Sequence, residues 1–293
     1  MNNGRSAAFR PSDGAEDENA QKEDPERHIC LRFRACGTKM MRKERISSRK
    51  NPLLQQVRRL LSSRSAREKE GLFAADGTKL LEEAVRYFPG LDTVILSEGV
   101  EVPDLPDHVR VVEVPRDVMA SVSPMEAPQG ALFLCRIPEK TAFVPQAGML
   151  ILDGIQDPGN VGTILRTADA MDVPVVLLEG CADPYNWKTV RSTMGAAFRV
   201  PVVQATWDEV RSACRQAGIP IGVTALSDRA VDIRQADLSR LALVIGSEGR
   251  GVRKEILESA DRELIIPMNP HCESLNAAVA ASIVMWQIRA ARS

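Results

Sequence analysis

The chain is poor in the residue types that build metal centres, disulfide frameworks and membrane spans. Its 293 residues include three histidines, and its six cysteines, at positions 30, 36, 135, 181, 214 and 272, never adopt a paired CxxC spacing. Neither a zinc site nor a disulfide scaffold is supported, and reduced thiols in the cytosol are the default expectation. The longest apolar runs, such as Val173 to Leu178, fall far short of the roughly 20 residues that cross a bilayer, so no membrane partner is expected. An apolar signal segment is missing as well, and the acidic character of the N-terminal stretch speaks against a transit peptide.

An apolar fraction of 44% is ample for a packed core in each of about two domains. The net charge of −1 hides a strong asymmetry. From Arg45 to Glu70 there are eight bases against two acids, a local +6, whereas Gly71 to Pro138 holds five bases against eleven acids, a local −6. A basic segment of that kind contacts phosphates, with solvated helix faces as the plain alternative. Arg45, Arg49, Lys50, Arg58 and Arg59 are the candidate RNA-binding residues within it.

In chain order, residues 1–44 mix Asp, Glu, Asn, Gly and Pro without an apolar period and are expected to be disordered. Met40 and Met41 directly precede the first organised segment, and one reading is that translation begins there. From Asn51 the residues Leu53, Leu54, Val57, Leu60 and Leu61 fall at helical spacing. A strand at 72–75, a helix at 78–87, strands at 93–96 and 109–114, a helical turn near Asp117 and a strand at 131–135 complete a small α/β domain over 45–137. The proline-bearing stretch 138–148 reads as a linker. The remainder, 149–293, repeats a strand-then-helix rhythm, with strands at 149–152, 173–178, 199–203, 219–224, 241–245 and 263–266. Val- and Ile-rich strands without alternation indicate a parallel sheet buried on both faces. The last helix, about 275–291, presents Leu275, Ala278, Val279, Ile283 and Trp286, an apolar face that needs a partner, either the sheet or a second subunit.

Three loops rich in Gly, Asn and Ser follow strands of this second domain, as a ligand site at the carboxyl edge of a parallel sheet requires. In the first, Asp157-Pro158-Gly159 is a turn and Asn160 a candidate N-cap for a helix to about Met171. Val161, Ile164, Leu165 and Ala168 cluster on its inner face, which directs Arg166 outward, where it could clamp a phosphate or carboxylate. The second loop, Gly246-Ser247-Glu248-Gly249-Arg250-Gly251, permits close backbone approach to a ligand. Its GxxGxG spacing and late position fit a dinucleotide fingerprint badly, and no Gly-Lys-Ser/Thr of a P-loop follows. The third, Pro267 to Asn276, places Glu273, Ser274 and Asn276 near the start of the last helix, with Ser274 a candidate N-cap. A His271–Cys272 dyad is set aside because adjacent side chains rarely face each other.

Together the segments NVGTILRTADA, VIGSEGRGV and IPMNPHCESLNAAVA resemble, in order, the signature motifs of the SpoU (TrmH-like) branch of the SPOUT RNA methyltransferases. The resemblance covers Pro145 to the C-terminus. REKEGLFAADGTKLLEE, Arg67 to Glu82, is similar to the L30e-like RNA-binding domain that precedes the catalytic domain in many bacterial members. This implies an α/β, trefoil-knotted parallel-sheet methyltransferase domain behind an L30e-like domain, active as a homodimer. It implies transfer of a methyl group from S-adenosyl-L-methionine to a ribose 2′-hydroxyl of RNA, with 23S rRNA preferred because the L30e-like domain resembles the large-subunit enzymes. A tRNA substrate stays open, and so does a catalytically silent RNA-binding or ribosome-assembly protein. A nucleotide-dependent oxidoreductase is a more distant reading. Cofactor contacts carry over onto Gly246, Ile266 and Leu275, and the catalytic group onto Arg166 with Asn160, Glu248, Ser274 and Asn276. Pro270 replaces a Gly common in the third loop and removes a backbone donor there.

Overall fold

The computed structural model describes residues 44–292 apart from Val102, Pro103, Thr141 and Glu248, so the expected disordered tail lies outside the described residues except for Glu44. The N-terminal part runs β1 (Glu44–Arg45), α1 (Pro52–Ser62), α2 (Arg64–Glu70), β2 (Leu72–Asp76), α3 (Thr78–Tyr87), β3 (Leu91–Ser97), β4 (Arg110–Val114), α4 (Arg116–Ala120) and β5 (Ala131–Arg136). Helix α1 begins where it does because the Asn51 side chain accepts the Leu53 amide at 2.9 Å and Pro52 supplies a helical φ without needing a donor. Strands are ordered β1-β4-β3-β5-β2, with β5 antiparallel to both neighbours. Along β2, Phe73 and Ala75 face α3 while Ala74 faces α1, so the period-two alternation of a strand is used to fill two cores.

The second part runs β6 (Met149–Asp153), α5 (Pro158–Met171), β7 (Val175–Leu177), α6 (Trp187–Ser192), β8 (Val203–Gln204), α7 (Trp207–Ala217), β9 (Ile221–Thr224), β10 (Val231–Asp232), β11 (Ala242–Gly246), α8 (Lys254–Ser259), β12 (Arg262–Ile265) and α9 (Ala277–Ala291). All seven strands are parallel, in the order β10-β12-β9-β11-β6-β7-β8. Leu150, Leu152, Leu243 and Ile245 pack under α5 and α9, whereas Met149, Ile151 and Val244 pack under α7 and α8. The sheet is thus buried on both faces, as its unalternating strands predict.

Several local expectations are corrected. Residues 199–203 form no continuous strand: a 3₁₀ turn at Ala196–Phe198 precedes the two-residue β8. Asp157, not Asn160, caps α5, because Pro158 occupies the first helical position and the extended Asp157 accepts the Asn160 amide at 2.8 Å. Asn276, not Ser274, caps α9, accepting the amides of Ala278 and Val279 at 2.9 and 3.2 Å. The apolar residues of α9 also divide between two sides. Ala278, Ala281, Met285 and Ile288 are buried, while Val279, Ile283 and Trp286 are exposed.

The two parts share a core instead of meeting only through the linker. Phe198 packs its ring against Phe73, Phe88 and Phe133 at centroid distances of 5.5–6.4 Å, stacked on the first, edge-on to the second and tilted to the third. Arg67 is buried against Asp183 at 2.6 Å, so one of the eight bases of the basic segment serves this seam and not the surface. Loss of either partner of such a buried pair costs about 3–5 kcal/mol.

Candidate active site

The first, second and third loops leave the carboxyl ends of β6, β11 and β12, on one edge of the parallel sheet. Strands β6 and β11 are neighbours in register, Asp153 beside Gly246. On α5 the residues Val161, Ile164, Leu165 and Ala168 are buried and Arg166 is exposed, as the helical period demands. The Arg166 guanidinium makes no ion pair or hydrogen bond among the described residues. One and a half turns earlier, Asn160 Oδ1 accepts a hydrogen bond from Asn276 Nδ2 at 3.1 Å. The first and third loops are therefore joined side chain to side chain by two of the candidate catalytic residues.

The second loop is a closed turn. Ser247 and Gly251 exchange backbone hydrogen bonds of 3.2 and 2.8 Å, and Gly251 sits at φ +66°. This folds the chain back onto Gly246 so closely that a Cβ there would lie 2.1 Å from the Gly251 carbonyl carbon, which makes Gly246 a requirement of the backbone. The exit is tied down by Asp153: its buried carboxylate accepts the Arg253 amide at 2.8 Å and the Arg253 Nε at 2.7 Å. Glu248 lies outside the described residues.

Between the second and third loops lies a cleft of about 740 Å³. Gly246, Ile266 and Leu275, the three candidate cofactor residues, all line it, together with Ser274. Asn160, Arg166 and Asn276 do not line it: Asn276 stands between the lining residues Leu275 and Ala277, Asn160 is bonded to it, and Arg166 lies six residues further along α5. Residues that sequence reasoning missed are Thr224, Ala225 and Leu226, which line the cleft because β9 lies between β11 and β12. Their strand is legible, but the loop carries no Gly or Asn signature. Asp153 and Asp157 were also missed as site residues; both stand just before the first motif, which begins at Asn160. The cleft fits an adenosyl sulfonium: apolar walls at Ile245, Ile266 and Leu275 suit an adenine, and the glycine turn exposes backbone to polar groups. Among the described residues no group of His, Cys, Asp and Glu could hold a metal ion, and no helix is long and apolar enough to cross a membrane.

Of the candidate RNA-binding residues, Arg45 pairs with Glu98, Arg49 with Asp117 and Arg59 with Glu70. Arg58 donates to the Arg49 carbonyl at 2.9 Å. Lys50 is exposed.

Residues 148–286 match the model of the SpoU rRNA Methylase family, and residues 51–132 match the MRM3-like substrate binding domain. Over 249 residues the chain is 33% identical to the 23S rRNA (guanosine(2553)-2′-O)-methyltransferase RlmP of Bacillus subtilis, covering 84% of this chain and 99% of that one. The chain belongs to the SpoU rRNA methylase family. Its fold superposes on the AdoMet-bound rRNA methyltransferase of Sinorhizobium meliloti with a TM-score of 0.75, at 28% identity over 84% of this chain and 97% of that one. The SpoU methyltransferase AviRb of Streptomyces viridochromogenes, solved in complex with AdoMet, gives 0.73 at 26% identity over 83% and 98%. The SpoU assignment thus bears out the resemblance read from the three motifs.

Proposed function

We propose that this SpoU-family chain transfers a methyl group from S-adenosyl-L-methionine to a ribose 2′-hydroxyl of 23S rRNA. The observation that carries the reading is the meeting of the 740 Å³ cleft with the Asn160–Asn276 bridge, on the helix that also carries Arg166, which is unpaired among the described residues. The full-length relationship to a 23S rRNA 2′-O-methyltransferase supports the substrate class.

The sulfonium cosubstrate brings an already activated methyl group, so the protein's task is to align a ribose hydroxyl with it and ease loss of the hydroxyl proton. Gly246, Ile266 and Leu275 hold the adenosyl group against the second and third loops. Arg166 stays protonated at accessible pH and so cannot act as a base. It holds the phosphate beside the target ribose and stabilises negative charge developing on the 2′-oxygen. Asn160 and Asn276 fix the first loop to the third, which keeps Arg166 at a set distance from the methyl group. Ser274 and Glu248 complete the polar surround.

The same reading carries the finer features of the family: a trefoil knot in the catalytic domain, a role in rRNA processing in the cytoplasm, RNA contacts from Arg45, Arg49, Lys50, Arg58 and Arg59, and a homodimer. The dimer is supported by Val279, Ile283 and Trp286, which repeat at i, i+4 and i+7 and leave an apolar stripe of α9 exposed, Trp286 by 62%. Mapping alkali-resistant 2′-O-methyl sites in total RNA from cells with and without the gene tests the function. One large-subunit site should disappear without the gene. Loss of a tRNA site would transfer the activity to tRNA, and an unchanged map together with no binding of the cosubstrate by calorimetry would leave a silent RNA-binding protein.

A further inference from the structure

The basic N-terminal segment and the seam between the two parts treat their charges differently. Arg45, Arg49, Arg59 and Arg64 are each ion-paired with a carboxylate; Glu68 and Glu70 already count within the +6, and Glu98 and Asp117, from outside the segment, offset two more of its charges. Lys188 and Arg191 stand three residues apart on α6 and share its outward face, while Thr189 and Val190 between them are buried. Neither makes an ion pair among the described residues. Lys188 lies over the Trp187 ring at 5.7 Å, and Arg191 touches the sulfur of Met125, across the seam in the N-terminal part.

The location matters as much as the charge. Helix α6 packs so tightly on α5 that a Cβ at Gly162 would meet Ser192 Cβ and the Thr189 carbonyl at 2.5 Å. Arg166 lies one turn beyond Gly162 on the same side of α5. Further along that side, Asp169 holds Arg199 at 2.7 Å. The row carrying Arg166 therefore faces α6 and the turn that follows it.

Across the seam, Asp76 ends β2 with 7% of its surface exposed. Its Oδ2 accepts the Ser123 hydroxyl at 2.6 Å, and its Oδ1 has no hydrogen-bond partner among the described residues. Burial raises its pKa, and the Ser123 bond and the field of Arg191 oppose the rise. Asp76 thus attracts Arg191 without a direct bond, which leaves guanidinium donors available to a phosphate.

We propose that Lys188 and Arg191 form an RNA-phosphate site on the seam, carrying the substrate strand from the substrate-binding domain to Arg166. The inference rests on the RNA methyltransferase reading and adds an RNA-binding surface to it.

The test is the salt dependence of binding between the full chain and a fluorescent transcript of the rRNA segment identified by methylation mapping. Removing the cation that neutralises one phosphate lowers the slope of log affinity against log salt by about one. Arg191→Ala and Lys188→Ala should each show that drop, with RNA affinity weakened roughly fivefold at moderate salt. Arg191→Lys should keep the slope, as should Arg215→Ala, which removes an exposed charge on α7. Affinity for S-adenosyl-L-methionine should be unchanged throughout. Wild-type slopes in both alanine variants would overturn the proposal, and so would a parallel loss of RNA and cosubstrate binding, which would mark α6 as merely structural. A wild-type chain that neither binds nor methylates the transcript would overturn the parent reading, and this site with it.

Discussion

Asn276 donates its side-chain amide to Asn160 Oδ1 at 3.1 Å while its own Oδ1 caps α9 through the amides of Ala278 and Val279. One side chain therefore starts the last helix and joins the third motif to the first. The two duties can be separated. Asn276→Asp keeps an oxygen for the cap but puts an acceptor opposite an acceptor, so kcat should fall while thermal stability stays near that of the native chain. Asn276→Ala should lose both, with about 1 kcal/mol of stability gone with the cap. A native kcat in Asn276→Asp would show the bridge to be idle.

Arg166→Ala should lower methyl transfer by about a hundredfold or more, the scale of losing one preorganised charge stabiliser. Because Arg166 stands outside the cleft, calorimetry should find cosubstrate affinity unchanged. Loss of both together would remove its assignment to the RNA side of the site.

Gly246→Ala forces a methyl group into the Gly251 backbone at about 2 Å. The turn cannot close around it, since the obstruction is main chain and has no rotamer to change. Cosubstrate binding should be lost, and RNA affinity, which depends on surfaces elsewhere, should persist. Binding of S-adenosyl-L-methionine at wild-type strength would mean that the closed turn is not the bound form.

The exposed stripe of α9 predicts an assembly state. Replacing Ile283 and Trp286 together by Glu should convert a dimer into a monomer in sedimentation experiments without unfolding the chain, because both side chains point away from the core. A wild-type monomer at micromolar concentration would refute the dimer.

Strand positions and loop placement were open to sequence reading because parallel strands declare themselves by unbroken Val and Ile runs, and because the three motifs end three of them. What escaped was set by interactions between segments. Asp157 takes the cap of α5 from Asn160 because Pro158 fits the first helical position, a competition between adjacent residues that the Asn signal alone conceals. The apolar residues of α9 read as one face, yet Ala278 lies beneath the helix while Val279 and Trp286 face outward, since the sheet covers only one arc. The basic segment looked like a +6 surface until Glu98 and Asp117 met it from distant parts of the chain. Phe198 joining the N-terminal core had no local signal at all.

Asp153 supplies the most demanding prediction, because its role is carried by one buried carboxylate and two bonds to one residue. Its side chain is 1% exposed, and it fixes the exit of the second loop while its strand neighbour Gly246 begins that loop. Asp153→Ala leaves the Arg253 amide without its acceptor, at about 1–3 kcal/mol, while the half-exposed Arg253 guanidinium keeps water and Glu255 as partners. Arg253→Met keeps the carboxylate and the backbone bond and removes the Nε donor, so it should fold. In that variant the KM for S-adenosyl-L-methionine should rise about tenfold, the scale of one hydrogen bond to a charged group, with the KM for RNA unchanged. If Arg253→Met left the cosubstrate KM untouched, the loop would be held by its own Ser247–Gly251 bonds, and Asp153 would serve the stability of the sheet edge alone.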